Sequence, residues 1–175
     1  TVINADKDGS ASGVYADVNK TGGTSSFFNR YGYLLEGFTL LGPDDGRGTG
    51  AANGTPLAFD TPSIIIRSCV ITGLDTGVKV DTNSVRVVNS LIYDCDTGVH
   101  GVSAKTSSPR DVVNCTIVNN LFGIVAEDSP TQVYNSILWG NYYVDYKALN
   151  VGTVGSVATD IDIRNSNVLH YIASG

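Results

Sequence analysis

Two copies of Asp-Thr-Gly, beginning at Asp75 and Asp96, stand 21 residues apart. A pair of aspartates brought together could share one proton and activate water. A second chemistry opens the chain, where Asn-Ala-Asp-Lys-Asp-Gly puts Asn4, Asp6 and Asp8 on alternate positions ahead of Gly9. Oxygen ligands at that spacing form the first half of a Ca²⁺ loop, although Tyr15 stands where the closing bidentate glutamate belongs. Charged groups also recur: Lys79 with Asp81, His100 at the same repeat distance, and Arg110 and Lys105 beyond it. Cysteine chemistry would have to come from Cys69, Cys95 and Cys115, and no Cys–His spacing suggests zinc.

Which of these is chemistry and which is architecture depends on the elements that carry them. With NSILWGN (135–141) as template, six segments align: LLEGFTLLG, IIRSCVITG, RVVNSLIYD, DVVNCTIVN, QVYNSILWG and DIRNSNVLH. The shared anchor is Gly37, Ser68, Asn89, Asn114, Asn135 and Asn165, at spacings of 31, 21, 25, 21 and 30 residues. A core period of 21 with insertions accounts for all of them. Two before the anchor stand Leu35, Ile66, Val87, Val112, Val133 and Ile163; three after it stand Leu40, Ile71, Ile92, Ile117, Leu138 and Val168. One after the anchor the residue is Phe38 once and otherwise Cys or Ser.

A second block aligns 54–63 with 75–84, 95–101 and 121–127. It puts Leu57, Val78, Val99 and Ile124 in one column and Ala58, Lys79, His100 and Val125 in the outward column beside it. Each repeat therefore holds three short strands and no helix-period segment. Such a coil cannot bury its interior alone, and stacking gives each strand a parallel neighbour about 4.8 Å away. The corner asparagines Asn89, Asn114, Asn135 and Asn165 tolerate the left-handed backbone a sharp bend needs, and are expected to bond their amides up and down the stack. An antiparallel sandwich would need hairpin signals such as Asn-Gly between alternating runs, which are scarce here. The fold class is all-β: a parallel solenoid of about six to seven rungs in a single domain, 1–175, with loose rungs over 1–32, regular rungs over 33–141 and an irregular rung and tail over 142–175.

Composition agrees. Glycine is high at 20, Met is absent and only 16% of residues are charged. Eleven basic against 17 acidic residues leave a net charge of −6, which repels a phosphate backbone, so nucleic acid is not an expected partner. No run reaches 18 apolar residues, so membrane insertion as a helix is not expected. The chain begins at Thr1 rather than Met, as a processed product or an excised piece would.

The phrases LEGFTLLG, RNS, VVNCTIVNN and YNSILWGN resemble the right-handed parallel β-helix of the pectate-lyase superfold. They are similar in particular to polymorphic outer-membrane-protein passengers and secreted β-helix repeat proteins of bacterial surfaces. The resemblance covers roughly residues 1–170 and implies right-handed coiling and an extracellular or cell-surface location. It is specific for fold and weak for activity, since the superfold hosts lyases, epimerases, adhesins and phage fibres.

For lyases, the resemblance implies a site on the outer face of one sheet, with carboxylates holding Ca²⁺ against a uronate and a Lys or Arg base. Here that falls on Lys79, His100, Asp81 and Arg110. The column ends in Ala58 and Val125, however, and a solvated charged face is the preferred reading. Asp75 and Asp96 read as turn residues, because both recur at the repeat period ahead of a strand. Ca²⁺ at Asn4, Asp6 and Asp8 is the one cofactor suggested. The insertion 42–54 offers Asp44, Asp45 and Arg47 for recognition. Cys69 and Cys115 share an inward column two rungs apart, too far for a disulfide, and with Cys95 they read as packing residues. Outward, Val70, Leu91, Ile137 and Trp139 form an apolar face that a partner or another part of the chain would cover. The expectation is a non-enzymatic structural or adhesive module, associating with copies of itself or with adjoining repeats of a longer chain. A polysaccharide-active or carbohydrate-binding β-helix is the alternative.

Overall fold

The computed structural model describes residues 2–4, 33–41, 49–53, 64–80, 85–101, 110–127, 131–149 and 161–174. After β1 (Val2–Asn4), β2 (Tyr33–Glu36), β3 (Thr39–Leu41) and β4 (Thr49–Asn53) make one coil. The second is β5 (Ile64–Arg67), β6 (Val70–Thr72) and β7 (Thr76–Val80), and the third β8 (Val85–Val88), β9 (Leu91–Tyr93) and β10 (Thr97–Gly101). The fourth is β11 (Arg110–Val113), β12 (Thr116–Val118) and β13 (Phe122–Glu127). The fifth is β14 (Thr131–Tyr134), β15 (Ile137–Trp139) and β16 (Val144–Leu149). The sixth is β17 (Ile161–Arg164), β18 (Asn167–Val168) and β19 (Tyr171–Ser174).

Like strands of successive coils stack into three sheets. An entry sheet takes β2, β5, β8, β11, β14 and β17; a middle sheet takes β1 and the second strand of each coil; an exit sheet takes the third. Every pairing is parallel. This is a parallel β-helix.

The interior is one shaft lined by ladders. Leu40, Ile71, Ile92, Ile117, Leu138 and Val168 are Cα partners in unbroken sequence down the middle sheet. The first five are between 0% and 3% exposed. Leu35, Ile66, Val87, Val112, Val133 and Ile163 line the entry sheet in the same way. Truncating any one of the buried members leaves a void between two like side chains, at a cost of about 2–5 kcal/mol.

Each coil turns from entry to middle strand at the anchor. Gly37, Ser68, Asn89, Asn114, Asn135 and Asn165 all have positive φ, from 48° to 74°. Asn is favoured there because its short side chain tolerates the left-handed region. The expected ladder of corner amides is absent, however. The four anchor asparagines are exposed and make no side-chain hydrogen bond among the described residues, because the backbone conformation aims their amides at solvent. What ties the corners together is the next residue. Ser90 Oγ accepts from the Cys69 N–H at 3.2 Å and donates to the Val88 carbonyl at 2.9 Å. Ser136 and Ser166 repeat the pattern, receiving the N–H groups of Cys115 and Ser136 at 3.1 and 3.0 Å.

A second left-handed corner joins middle to exit strand at Gly73, Asp94, Asn119 and Gly140. Beyond it lie Gly77, Gly98 and Gly123. A Cβ on Gly77 or Gly98 would stand 2.6 Å from the carbonyl oxygen of the glycine one coil on. These glycines are required by close approach between coils, not by the bend that the Asp-Thr-Gly motif suggests.

Two register expectations are corrected. The partner of Val78 in the first coil is Ala51, and that of Lys79 is Ala52, not Leu57 and Ala58, which lie outside the described residues. The surplus of the first repeat is split over two corners: seven residues separate β3 from β4, against three between β6 and β7. Part of the supposed 42–54 loop is thus strand β4. The supposedly irregular stretch after Tyr142 contains β16, in register with β13, and β17–β19 complete another coil. The pattern was hidden because Ile117 and Leu138 are 21 residues apart whereas Ile124 and Tyr146 are 22 apart, one residue having been added at the second corner.

Gly98→Ala is expected to lower unfolding free energy by about 2–4 kcal/mol, because the clash is with backbone on the next coil. Asn114→Ala should cost about 1–2 kcal/mol and Asn114→Gly close to nothing. Urea denaturation of the three variants checks the ranking.

Candidate functional site

Of the charged residues singled out in the sequence, the exit sheet brings Lys79 and His100 side by side. Lys79, His100, Val125 and Lys147 are successive Cα partners on β7, β10, β13 and β16. His100 Nε2 lies 3.5 Å from Glu127 Oε1, and this nitrogen is buried without a hydrogen-bond partner among the described residues. An imidazole beside a carboxylate, with lysines on the same outward column, can exchange a proton or bind an anion. Arg110, grouped with Lys79 and His100 on sequence grounds, instead opens β11 in the entry sheet, paired with Thr131. Asp81 lies outside the described residues, as do Asp6, Asp8, Asp44, Asp45 and Arg47. Asn4 closes β1. Among the described residues no group of three His, Cys, Asp or Glu side chains could hold a metal ion.

Lys147 was not legible as a member of this column, since it follows the added residue. It caps an aromatic group: its Nζ stands 5.7 Å from the Phe122 ring centre, and Phe122 stacks on Tyr143 at 5.0 Å. Tyr142 meets Tyr143 edge-on at 4.8 Å.

The same added residue places Asp145 in the interior, 0% exposed. It terminates a buried amide ladder that runs along the second corner rather than the first. Asn120 Oδ1 accepts from the Cys95 N–H at 3.0 Å, and Asn141 Oδ1 accepts from Asn120 Nδ2 at 2.9 Å. Asp145 Oδ1 in turn accepts from Asn141 Nδ2 at 2.7 Å. Its other oxygen accepts the N–H groups of Leu169 and His170 at 3.1 and 3.0 Å, fastening the sixth coil to the fifth. A carboxylate can do this where an amide cannot, because both of its oxygens accept.

The outward face of the middle sheet carries Val70, Leu91, Thr116 and Ile137 in one column, with Tyr93, Val118 and Trp139 in the next. Ile137 and Trp139 are 47% and 46% exposed, while Val70 and Leu91 are half-buried. The three cysteines are buried and unpaired. Burial pushes the thiols of Cys95 and Cys115 up to about 11, which removes the thiolate that nucleophilic chemistry would need.

Stacked three-strand coils with a recurring left-handed corner are the signature that decides the family, and a model of the right-handed β-helix region matches residues 8–168. The chain belongs to the right-handed β-helix family. No curated protein and no solved structure matches it. In this β-helix the entry sheet is laced by ion pairs across coils, Glu36–Arg67 and Arg86–Asp111, and within the last one, Asp162–Arg164. The middle and exit sheets carry the apolar and the Lys-His surfaces, so the three faces differ in chemistry although the backbone beneath them repeats.

Asp145→Asn should cost about 2–3 kcal/mol, because an NH₂ group replaces an oxygen that accepts buried N–H bonds. Hydrogen exchange at Leu169 and His170 should speed up more than exchange at Ile117. The thiols predict a second dependence. Unfolded thiols ionise near 9.0 and the folded Cys95 and Cys115 near 11, so their contribution is intact below about pH 9 and is lost as pH rises towards 11. Thermal melts across that range should show the loss, and Cys115→Ser, which installs the residue of the neighbouring coils, should reduce it.

Proposed function

We propose that the protein is a non-enzymatic structural or adhesive module of the cell exterior, continued end to end by copies of itself or by adjoining β-helix repeats. The observation that carries this reading is the state of the sixth coil. β17, β18 and β19 are the outermost strands of their three sheets, and among the described residues no strand pairs with their far edges. A row of backbone donors and acceptors on three sheets at once is a template for another parallel coil. The shaft beneath it is apolar and continues the inward ladders through Ile163 and Val168.

Particle size over a rising concentration series, followed by electron microscopy, tests self-association. Elongated assemblies are expected, and Val168→Lys, which sets a charge in the mouth of the shaft, should abolish them. A strictly monomeric wild-type particle would remove self-association and leave continuation within a longer chain.

The Lys79–His100–Glu127 arrangement favours a second reading, a polysaccharide-active or carbohydrate-binding β-helix. Incubation with pectin or alginate and Ca²⁺ should then release unsaturated products, and Lys79→Ala should stop their release.

A further inference from the structure

The second corner of the helix changes chemistry halfway along its length while its backbone hydrogen bonds recur, the added residue of the fifth coil following them. In the second and third coils its two residues are Asp75-Thr76 and Asp96-Thr97; in the fourth and fifth they are Leu121-Phe122 and Tyr142-Tyr143. The backbone bonds are equivalent in each. Asp96 and Thr97 donate to the carbonyls of Leu74 and Asp75, Leu121 and Phe122 to those of Cys95 and Asp96, and Tyr142 and Tyr143 to those of Asn120 and Leu121, all between 2.8 and 3.0 Å. Aspartate and threonine therefore satisfy this corner, and the fold itself does not call for aromatic residues there. Yet Leu121, Tyr142 and Tyr143 are 38%, 77% and 59% exposed, and Trp139, just before the bend, is 46% exposed. Large apolar side chains held in water at positions where polar ones serve equally well need a reason outside the fold.

Lys147 stands over Phe122 at the exit-sheet side of the patch, and the ridge itself leads into acidic residues. Along the same ridge, towards the start of the chain, Asp75, Asp94 and Asp96 are exposed on consecutive coils, and the whole protein carries −6. We propose that this ridge docks a protein segment that is both cationic and apolar, its basic residues over the aspartates and its large side chains over the tyrosines and Trp139. Tyrosine and tryptophan are the side chains that anchor protein interfaces, and complementary charge fixes register and partner choice. Four coils span about 14 Å, the length of roughly four or five extended residues. The proposal rests on reading the protein as a partner-binding module and names the face and the chemistry of the partner.

The test is a titration of the intact protein with a short synthetic peptide of alternating lysine and leucine, and with its glutamate–leucine counterpart. The emission of Trp139, the only tryptophan, reports binding directly. The basic peptide should bind with an affinity that falls as salt is raised, and the acidic one should not bind. Grafting the corner of the earlier coils onto the later ones (Leu121→Asp, Phe122→Thr, Tyr142→Asp, Tyr143→Thr) should weaken binding by about tenfold or more. A milder variant, Asp94→Asn with Asp96→Asn, keeps the aromatic half and should reduce the salt dependence. Equal binding of both peptides, or unchanged affinity in the grafted protein, would overturn the proposal. So would a response of Trp139 only to oligosaccharide, or self-association that the graft alone abolishes, since each assigns the ridge to a different occupant. Peptide binding by a strictly monomeric protein supports the ridge while removing end-to-end association by copies, so the two readings fail separately.

Discussion

The constraint on which everything else rests is the vertical distance between coils. Parallel strands stack about 4.8 Å apart, and that spacing must hold at the corners as well as along the strands. At the corners the chain is not extended, so its donors and acceptors are met only if each coil bends in the same place and in the same sense. The left-handed anchors secure this: the N–H of Gly37, Ser68, Asn89, Asn114 and Asn135 each donates to a carbonyl of the following coil, at 3.0 to 3.1 Å. Serine hydroxyls then take up the next N–H. Buried backbone groups left without partners would each cost about 1–3 kcal/mol, which is why the corners are more strictly specified than the strands between them.

The same spacing explains what could be read from the amino-acid order and what could not. Aliphatic ladders are visible because a strand residue and its partner one coil on face the same interior; Ile71, Ile92 and Ile117 announce themselves by recurrence. Corner asparagines are visible for the same reason, but their role was only half legible. The left-handed backbone follows from residue type, whereas the direction of the amide depends on three-dimensional placement. The working amide ladder, Asn120 over Asn141, occupies the other corner, where Leu74 and Cys95 stand in earlier coils. A column that is apolar in two coils and polar in two carries no periodic signal.

Register failed where a residue was added or where a surplus was divided. One extra residue near Val144 concealed both Lys147 and Asp145, the latter being the only buried carboxylate among the described residues. The surplus of the first repeat, shared between two corners, shifted Leu57 and Ala58 into a column that belongs to Ala51 and Ala52. Alignment by a fixed period assumes that length varies at one place per coil. Backbone pairing shows that it varies at more than one corner, between β3 and β4, between β4 and β5, and again between β15 and β16.

Function on such a scaffold must be sought in positions that the stacking leaves undetermined. Inward residues are dictated by the shaft, anchors by φ, and Gly77, Gly98 and Gly123 by the neighbouring coil. Outward residues obey none of these rules, so a regularity among them, or a break in one, carries information that the fold does not account for. Lys79 and His100 form such a regularity on the exit sheet. The replacement of aspartate and threonine by leucine, phenylalanine and tyrosine at a corner whose backbone hydrogen bonds recur is such a break. A solvated strand face tolerates scattered charges at little cost, whereas the aromatic rings gain only their stacking on one another and leave Tyr142 and Tyr143 largely in water. Weighed in that way, the aromatic corner departs further from what the scaffold requires than the charged column does, which is the ground for proposing a partner there.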